Sequence, residues 1–386
     1  HRTAYAVTCR EGSSDVCSSD LLIIAVLIIA FSSNGAFALS YVIENGSRVP
    51  IPTAYMVDTV IGDYGDFGSL SNPSDLFLDD NNDLYVADTG NNRILKLNDQ
   101  GTVSKEYTNP GGGQLSVPEG IFVDRYGDLY IADTGNMRIV HLSADGGFIE
   151  QFVKPQSKLI SSDFKFTPSK LAVGKTGLIY ILNKTQYQGF FTIDSLNNFM
   201  GYTGATKVGY SFFDVLLRRF GSSFQKQMTQ KRLPQPASNF FLEENIIYAT
   251  ITGNLDKPCT IVKYSSVGTN LFPAKQYGDN RDDYNKLSLS QLVDIAVDPN
   301  GIISVLDQKN GKIFQYDQNG NMLDAFGALG NKKGQFMLPV SIVAYPDGKI
   351  AVLDSMKGNI QIFKTTKFID SVHAAVKSHY NGQYSH

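Results

Sequence analysis

Leu115-Ser-Val-Pro-Glu-Gly-Ile-Phe-Val-Asp-Arg-Tyr-Gly-Asp-Leu-Tyr-Ile-Ala-Asp-Thr-Gly-Asn-Met-Arg-Ile-Val-His-Leu-Ser-Ala-Asp-Gly146 holds three strand-like runs. Ile121–Val123 and Leu129–Ala132 are rich in β-formers, and Arg138–Leu142 alternates. Two turn signals separate them, Arg125-Tyr-Gly-Asp128 and Asp133-Thr-Gly-Asn136. Nearly the same text begins forty-five residues earlier, at Leu70, and runs to Gly101. Self-similarity at this period, carried by short antiparallel strands, predicts propeller blades.

Working outward, six repeat starts can be traced, each a short apolar run ahead of a turn. They begin at Pro73, Pro118, Pro168, Ala237, Leu292 and Pro339. A second strand follows each, at Leu84, Leu129, Ile179, Ile247, Ile303 and Ile350, and then a third, at Ile94, Ile139, Phe190, Thr260, Ile313 and Ile360. Weaker fourth strands are expected at Val103–Tyr107, Phe148–Phe152, Phe199–Tyr202, Ala274–Tyr277 and Met322–Phe326. Blade six has no fourth strand of its own. Tyr55–Ile61 is a strand without partners, so pairing the two would close the ring. The stretch before it, from Tyr41, reads as one or two extended segments around Pro50 and Pro52.

The pattern Pro-x-x-Φ-x-Φ-Asp followed by Φ-Tyr-Φ-Ala-Asp-Thr-Gly-Asn-x-Arg-Φ resembles the NHL repeat. It stands here as Pro73 to Asp79 with Tyr85 to Arg93, and as Pro118 to Asp124 with Tyr130 to Arg138. The Gly-rich connection from Phe326 to Pro339 resembles the family's inter-repeat linker. Copies three to six have lost the full Asp-Thr-Gly-Asn-x-Arg turn. The resemblance spans about Tyr55 to Lys364 and implies an all-β fold, a six-bladed β-propeller of four-stranded antiparallel blades. Within each full turn Asp and Asn cap the bend, Gly supplies positive φ, and Arg can pair with Asp, so the motif reads as structural.

Two segments depart from the repeat. After blade three, an insertion over about 204–235 carries Phe212, Leu216, Phe220, Phe224 and Met228 at every fourth position, the stripe of an amphipathic helix. After blade six, Phe368 onward is helix-like, with Ile369, Val372, Val376 and Tyr380 near one face. It weakly resembles the opening of a tetratricopeptide repeat, so 367–386 reads as the start of a truncated helical region.

The N-terminus is read apart from the fold. Residues 1–20 include Ser13–Leu21, a stretch that closely resembles a translated sequencing adapter, and are taken as a scar of assembly. The apolar run Leu21–Phe31 followed by Ala36-Phe-Ala38 predicts a signal peptide over 21–38, with the mature propeller domain spanning 39–366. Eleven apolar residues fall short of the roughly 20 needed to span a bilayer. The expected location is extracytoplasmic, secreted or at the cell surface, and a region following His386 could attach the propeller to a membrane.

A formal net charge of −3 argues against a general nucleic-acid binder. Cys259 is the one cysteine beyond the leader, so no internal disulfide is expected. Of the body's histidines only His141 falls in a blade, which leaves too few ligands for a His-rich zinc site. No Gly-x-Ser-x-Gly, Cys/His pair or phosphate loop stands in a suitable context. No catalytic residue, metal ligand or cofactor is therefore assigned, although an all-oxygen calcium site of the gluconolactonase type stays open.

Ring symmetry offers the candidate site. The third residue of each repeat start should lie near the axis: Asp75, Gly120, Lys170, Asn239, Asp294 and Ser341. Asp75, Lys170, Asn239 and Asp294, with Glu119 beside them, are the expected ligand-facing rim. Carboxylates and an ammonium together suit a zwitterionic or polyhydroxylated ligand better than a bare metal, which Lys170 would repel. The expected role is a non-enzymatic binding or scaffold module for a protein, peptide or glycan. The alternative is a gluconolactonase- or lyase-type enzyme with a divalent metal on the axis.

Overall fold

A computed structural model describes residues 40–184, 189–204, 236–253, 258–265 and 268–382. Residues 1–38, read above as a scar and a signal peptide, and nearly all of the insertion read as helical, with its Phe/Leu/Met stripe, lie outside the described residues. Three strands come first: β1 (Tyr41–Glu44), β2 (Ser47–Pro50) and β3 (Tyr55–Ile61). Blade one follows as β4–β7 (Asp75–Leu78, Leu84–Asp88, Arg93–Leu97, Val103–Tyr107). Blade two is β8–β11 (Pro118–Val123, Leu129–Asp133, Arg138–Leu142, Phe148–Phe152). Blade three is β12–β15 (Pro168–Val173, Ile179–Asn183, Phe190–Ile193, Phe199–Thr203). Blade four is β16–β18 (Ala237–Glu243, Ile246–Ile251, Thr260–Tyr264). Blade five is β19–β22 (Leu292–Val297, Ile303–Asp307, Lys312–Tyr316, Met322–Phe326). A short parallel pair, β23 (Ala328–Leu329) and β24 (Gln335–Phe336), leads into blade six, β25–β27 (Pro339–Ala344, Ile350–Asp354, Asn359–Thr365). The helix α1 (Lys367–Tyr380) comes last.

Each blade is an antiparallel meander, and its first strand is innermost. The inner strands touch in a closed cycle: β4 on β8, β8 on β12, β12 on β16, β16 on β19, β19 on β25, and β25 back on β4. β3 supplies the outer strand of blade six, running antiparallel to β27 from Ile61 opposite Ile360 to Tyr55 opposite Thr365. The last blade is thus fastened by the chain's early residues, as the unpaired strand predicted.

The core is divided among the six blade interfaces. In β5, Leu84 and Val86 pack toward blade six while Tyr85 and Ala87 pack toward blade two. Every residue of β5 is buried, which is why these second strands read as apolar runs rather than alternating ones. A blade sandwiched this way is stable only between neighbours, so closing the ring protects the two faces that would otherwise be bare.

The Asp-Thr-Gly-Asn-x-Arg turns lock each sheet to the loop that enters it. Asp88 accepts the Ser71 N–H at 2.7 Å, Asn91 Nδ2 at 2.8 Å and Arg93 Nε at 2.7 Å. Asp133 repeats this with Ser116, Asn136 and Arg138. Where the text has decayed the acceptor survives: Asn183, Asp307 and Asp354 take N–H groups of the entering loop from Thr167, Gln291 and Met337.

Two blades depart from four strands. Blade four has three among the described residues, and Ala274–Tyr277 does not form the strand expected there. Pro273 has no N–H to donate, and the segment turns inward to bury Phe272 and Tyr277 against blade five. Blade five has six, because β1 and β2 form a hairpin that continues the sheet beyond β22. Its turn is Asn45-Gly46, both at positive φ, the pair a tight two-residue hairpin requires. Arg48 pins the hairpin to Asp279 at 2.7 Å and lies over the Tyr41 ring at 4.6 Å.

Helix α1 packs on the propeller by Ile369, fully buried, with Phe368 and Val372 beside it between blades five and six. No helix among the described residues is long and apolar enough to cross a membrane.

Candidate functional site

The third residue of each repeat start does reach the axis, and the backbone explains how. The pairing between first and second strands shifts register just before Gly120, Lys170, Asn239, Asp294 and Ser341. A bulge bends its strand and re-aims the side chain next to it. Repeated around the ring, it turns these residues toward a common centre, joined by Asp75 at the start of β4.

There they bond to one another. The Asp294 carboxylate accepts four hydrogen bonds: from the Ile295 N–H at 2.8 Å, the Ile342 N–H at 2.8 Å, the Ser341 hydroxyl at 2.6 Å, and Asn239 Nδ2. Asp75 accepts the Ile121 N–H at 2.9 Å and an ion pair from Lys170 Nζ. Lys170 also donates to the Ser74 carbonyl at 3.3 Å, and Asn239 Oδ1 accepts the Phe240 N–H at 2.8 Å. Ser341 stands between the two aspartates, 3.3 Å from Asp75 Oδ1, and accepts the Leu76 N–H at 3.1 Å. Burial pushes the Asp294 carboxyl up to about 6; the nearby Asp75 charge acts in the same direction, and Lys170 opposes both.

Gly120 makes the pairing of blades one and three possible. A Cβ there would sit 2.4 Å from the Ser169 carbonyl oxygen and 2.9 Å from Lys170 Cα. Without one, β12 closes against β8 and Lys170 crosses the empty sixth position to Asp75.

Asp75, Lys170, Asn239 and Asp294 are therefore brought together as expected, but inside the channel rather than on an open rim. Asp75, Asn239, Asp294 and Ser341 are all buried. Glu119 is not part of the ring. One residue earlier on β8, it pairs with Lys184 and lines a separate recess of about 350 Å³ on the far side. Lys170 borders both spaces, so the ring acts as a septum across the axis.

On the other side of the septum is a cup of about 240 Å³. Asp75, Lys170, Asn239 and Asp294 form its floor. Two residues farther along each inner strand, on the same strand face, come Phe77, Phe122, Ala172, Phe241, Ala296 and Val343, which form most of its wall, and the exposed carboxylate of Asp80 also borders the cup. Ser341 was named as axial but left out of the expected rim, and the wall residues were not among the expected site residues. The signal that could have found them is simple alternation: in a strand, whatever follows an axial residue by two also faces the axis. Among the described residues no group of three or more His, Cys, Asp and Glu is placed to hold a metal.

The NHL-repeat family model matches residues 70–97, which run from the loop before blade one through its third strand. The chain is a six-bladed β-propeller that carries an NHL repeat. Solved structures similar to this propeller include a protein from Bacteroides fragilis NCTC 9343 described as exported, 13% identical, covering 81% of this chain and 96% of that one with a TM-score of 0.51. Hydrazine synthase of Kuenenia stuttgartiensis is 11% identical, covering 79% and 97% with a TM-score of 0.50. Virginiamycin B lyase from Staphylococcus aureus is 13% identical, covering 75% and 79% with a TM-score of 0.42. No curated protein matches in sequence. At these identities the likeness speaks to the fold alone, and propellers host many roles.

Proposed function

We propose that this propeller is an exported, non-enzymatic binding module that receives its ligand in the axial cup. The observation that carries the reading is the cup's construction, an apolar wall over a floor of convergent polar groups contributed by four blades. The export part rests on the apolar run before Ala36-Phe-Ala38. A protein, peptide or glycan partner would present one small group to the cup, since 240 Å³ lies below the roughly 300–1,000 Å³ of drug-sized pockets. The enzyme alternative places a divalent metal on the axis. The Lys170 ammonium, held against Asp75, works against a cation there.

The test is a thermal-shift screen of the purified chain with amino acids, sugars, short peptides and lactones, with a turnover assay on each hit. Hits should raise the melting temperature, lose their effect when the cup is filled by Val343→Trp, and be recovered chemically unchanged. A hit converted to product would overturn the non-enzymatic reading.

A further inference from the structure

The ring leaves a specific set of hydrogen-bonding groups unspent, and their identity points to a ligand class. Asp294 has four donors on its two oxygens and is saturated. Ser341 donates to Asp294 and accepts from Leu76. The other three members are not saturated by the described residues. Lys170 has three N–H donors and spends two, on Asp75 and the Ser74 carbonyl, leaving one. Asn239 spends one amide N–H on Asp294 and keeps the second. Asp75 takes Lys170 on Oδ1, where the Ser341 hydroxyl also stands at 3.3 Å, and the Ile121 N–H on Oδ2, and keeps acceptor capacity on Oδ2.

The floor thus offers an ammonium N–H and an amide N–H from neighbouring blades three and four, and a carboxylate from blade one. A simple anion would find the two donors but also meet the Asp75 charge. A simple cation would find Asp75 but meet Lys170. A group carrying both charges a few bonds apart satisfies all three. The wall then selects what is attached to it. Phe77, Phe122 and Phe241 line the cup without being fully buried, and Phe77 and Phe122 stand edge to face at 5.4 Å. At roughly 30 Å³ per water the cup holds about eight waters, room for one compact apolar group and no more.

Resting on the binding reading above, we propose that the cup takes the zwitterionic head of a free apolar or aromatic α-amino acid. Its carboxylate meets Lys170 and Asn239, its ammonium meets Asp75, and its side chain lies against the phenylalanine wall.

The experiment is isothermal titration of the full chain with L-phenylalanine, phenethylamine, which lacks the carboxylate, and 3-phenylpropionate, which lacks the ammonium. Each analogue lacks one charged hydrogen bond, so each should bind about tenfold or more weakly than L-phenylalanine. Lys170→Met should erase the difference between L-phenylalanine and phenethylamine while leaving 3-phenylpropionate weak. If that variant fails to fold, the analogue series on the unaltered chain decides alone. Equal binding of the three compounds, or none by L-phenylalanine, overturns the ligand class. The two readings fail separately. If a sugar or peptide binds instead and loses its affinity in Val343→Trp, the cup stands and only the zwitterion falls. If binding survives Val343→Trp, the cup itself is wrong.

Discussion

Asp133 is wholly buried and holds three partners at once: the Ser116 N–H at 2.7 Å, Asn136 at 2.8 Å and Arg138 at 2.7 Å. Removing it leaves the buried Arg138 guanidinium with neutral acceptors only, Gln151 and the Gly112 and Gly113 carbonyls, and no counter-charge from Asp133, so Asp133→Ala should cost about 3–5 kcal/mol in denaturant unfolding. A loss below about 1 kcal/mol would mean the turn does not hold the blade. Asp324 makes the opposite prediction. It is fully buried on β22 with no hydrogen-bond partner among the described residues on either oxygen, and burial pushes its carboxyl up to about 8. From the ordinary carboxylate value of about 3.9 up to about 8, the folded state keeps a proton that the unfolded chain has lost. Stability from this group therefore falls as pH rises through that window. Asp294 adds a term of the same sign up to about pH 6. Asp324→Leu should raise the melting temperature at pH 8 and gain much less at pH 5. An equal shift at both would contradict the assignment. At this scale the turn chemistry was legible, because Asp, Gly, Asn and Arg act within six residues of one another. The self-bonded ring was not, since Asp75 and Lys170 lie far apart in the chain and meet only where bulges and a missing Cβ allow.

Among the elements, strands with a local partner were the easiest to read. The hairpin β1–β2 carries the Asn45-Gly46 turn signal, yet it was read only as one or two extended segments without a pairing, because Pro50 and Pro52 dominate the stretch and its partner β22 lies far along the sequence. Ala274–Tyr277 failed for the converse reason: the blade period called for a strand, and tertiary burial of Tyr277 overrode it. Helix α1 was recognised from its spacing, and Ile369 is the side chain that anchors it. A carboxylate there cannot be buried beside Phe368 and Val372, so Ile369→Asp should cost at least the roughly 1.5–3 kcal/mol of that apolar burial. Protease sites after Thr366 should open at the same time. An unchanged melting temperature and digestion pattern would show that the helix merely rests on the ring.

For the whole molecule the governing term is closure. β3 binds β27 along its full length, and its Tyr55 and Ile61 enter two different interface cores. A chain beginning at Gly62 should lower the melting temperature and raise amide exchange in β27 first, then in the facing strands of blade one. Uniform exchange through the sheet, or none, would argue that the ring does not depend on this clasp. Closure also converts six weakly marked sequence positions into one site, because a propeller presents equivalent residues of every blade to a single axis. The site was therefore legible as a set of positions. Its depth, its septum and its apolar wall became visible only with the ring assembled. The most direct test of that axial site is a crystal structure of the full chain grown with L-phenylalanine. The account predicts ligand density in the cup, with its head group within hydrogen-bonding distance of Asp75, Lys170 and Asn239 and its ring against Phe77, Phe122 or Phe241. Density confined to an outer face, with the cup holding only water, would contradict it.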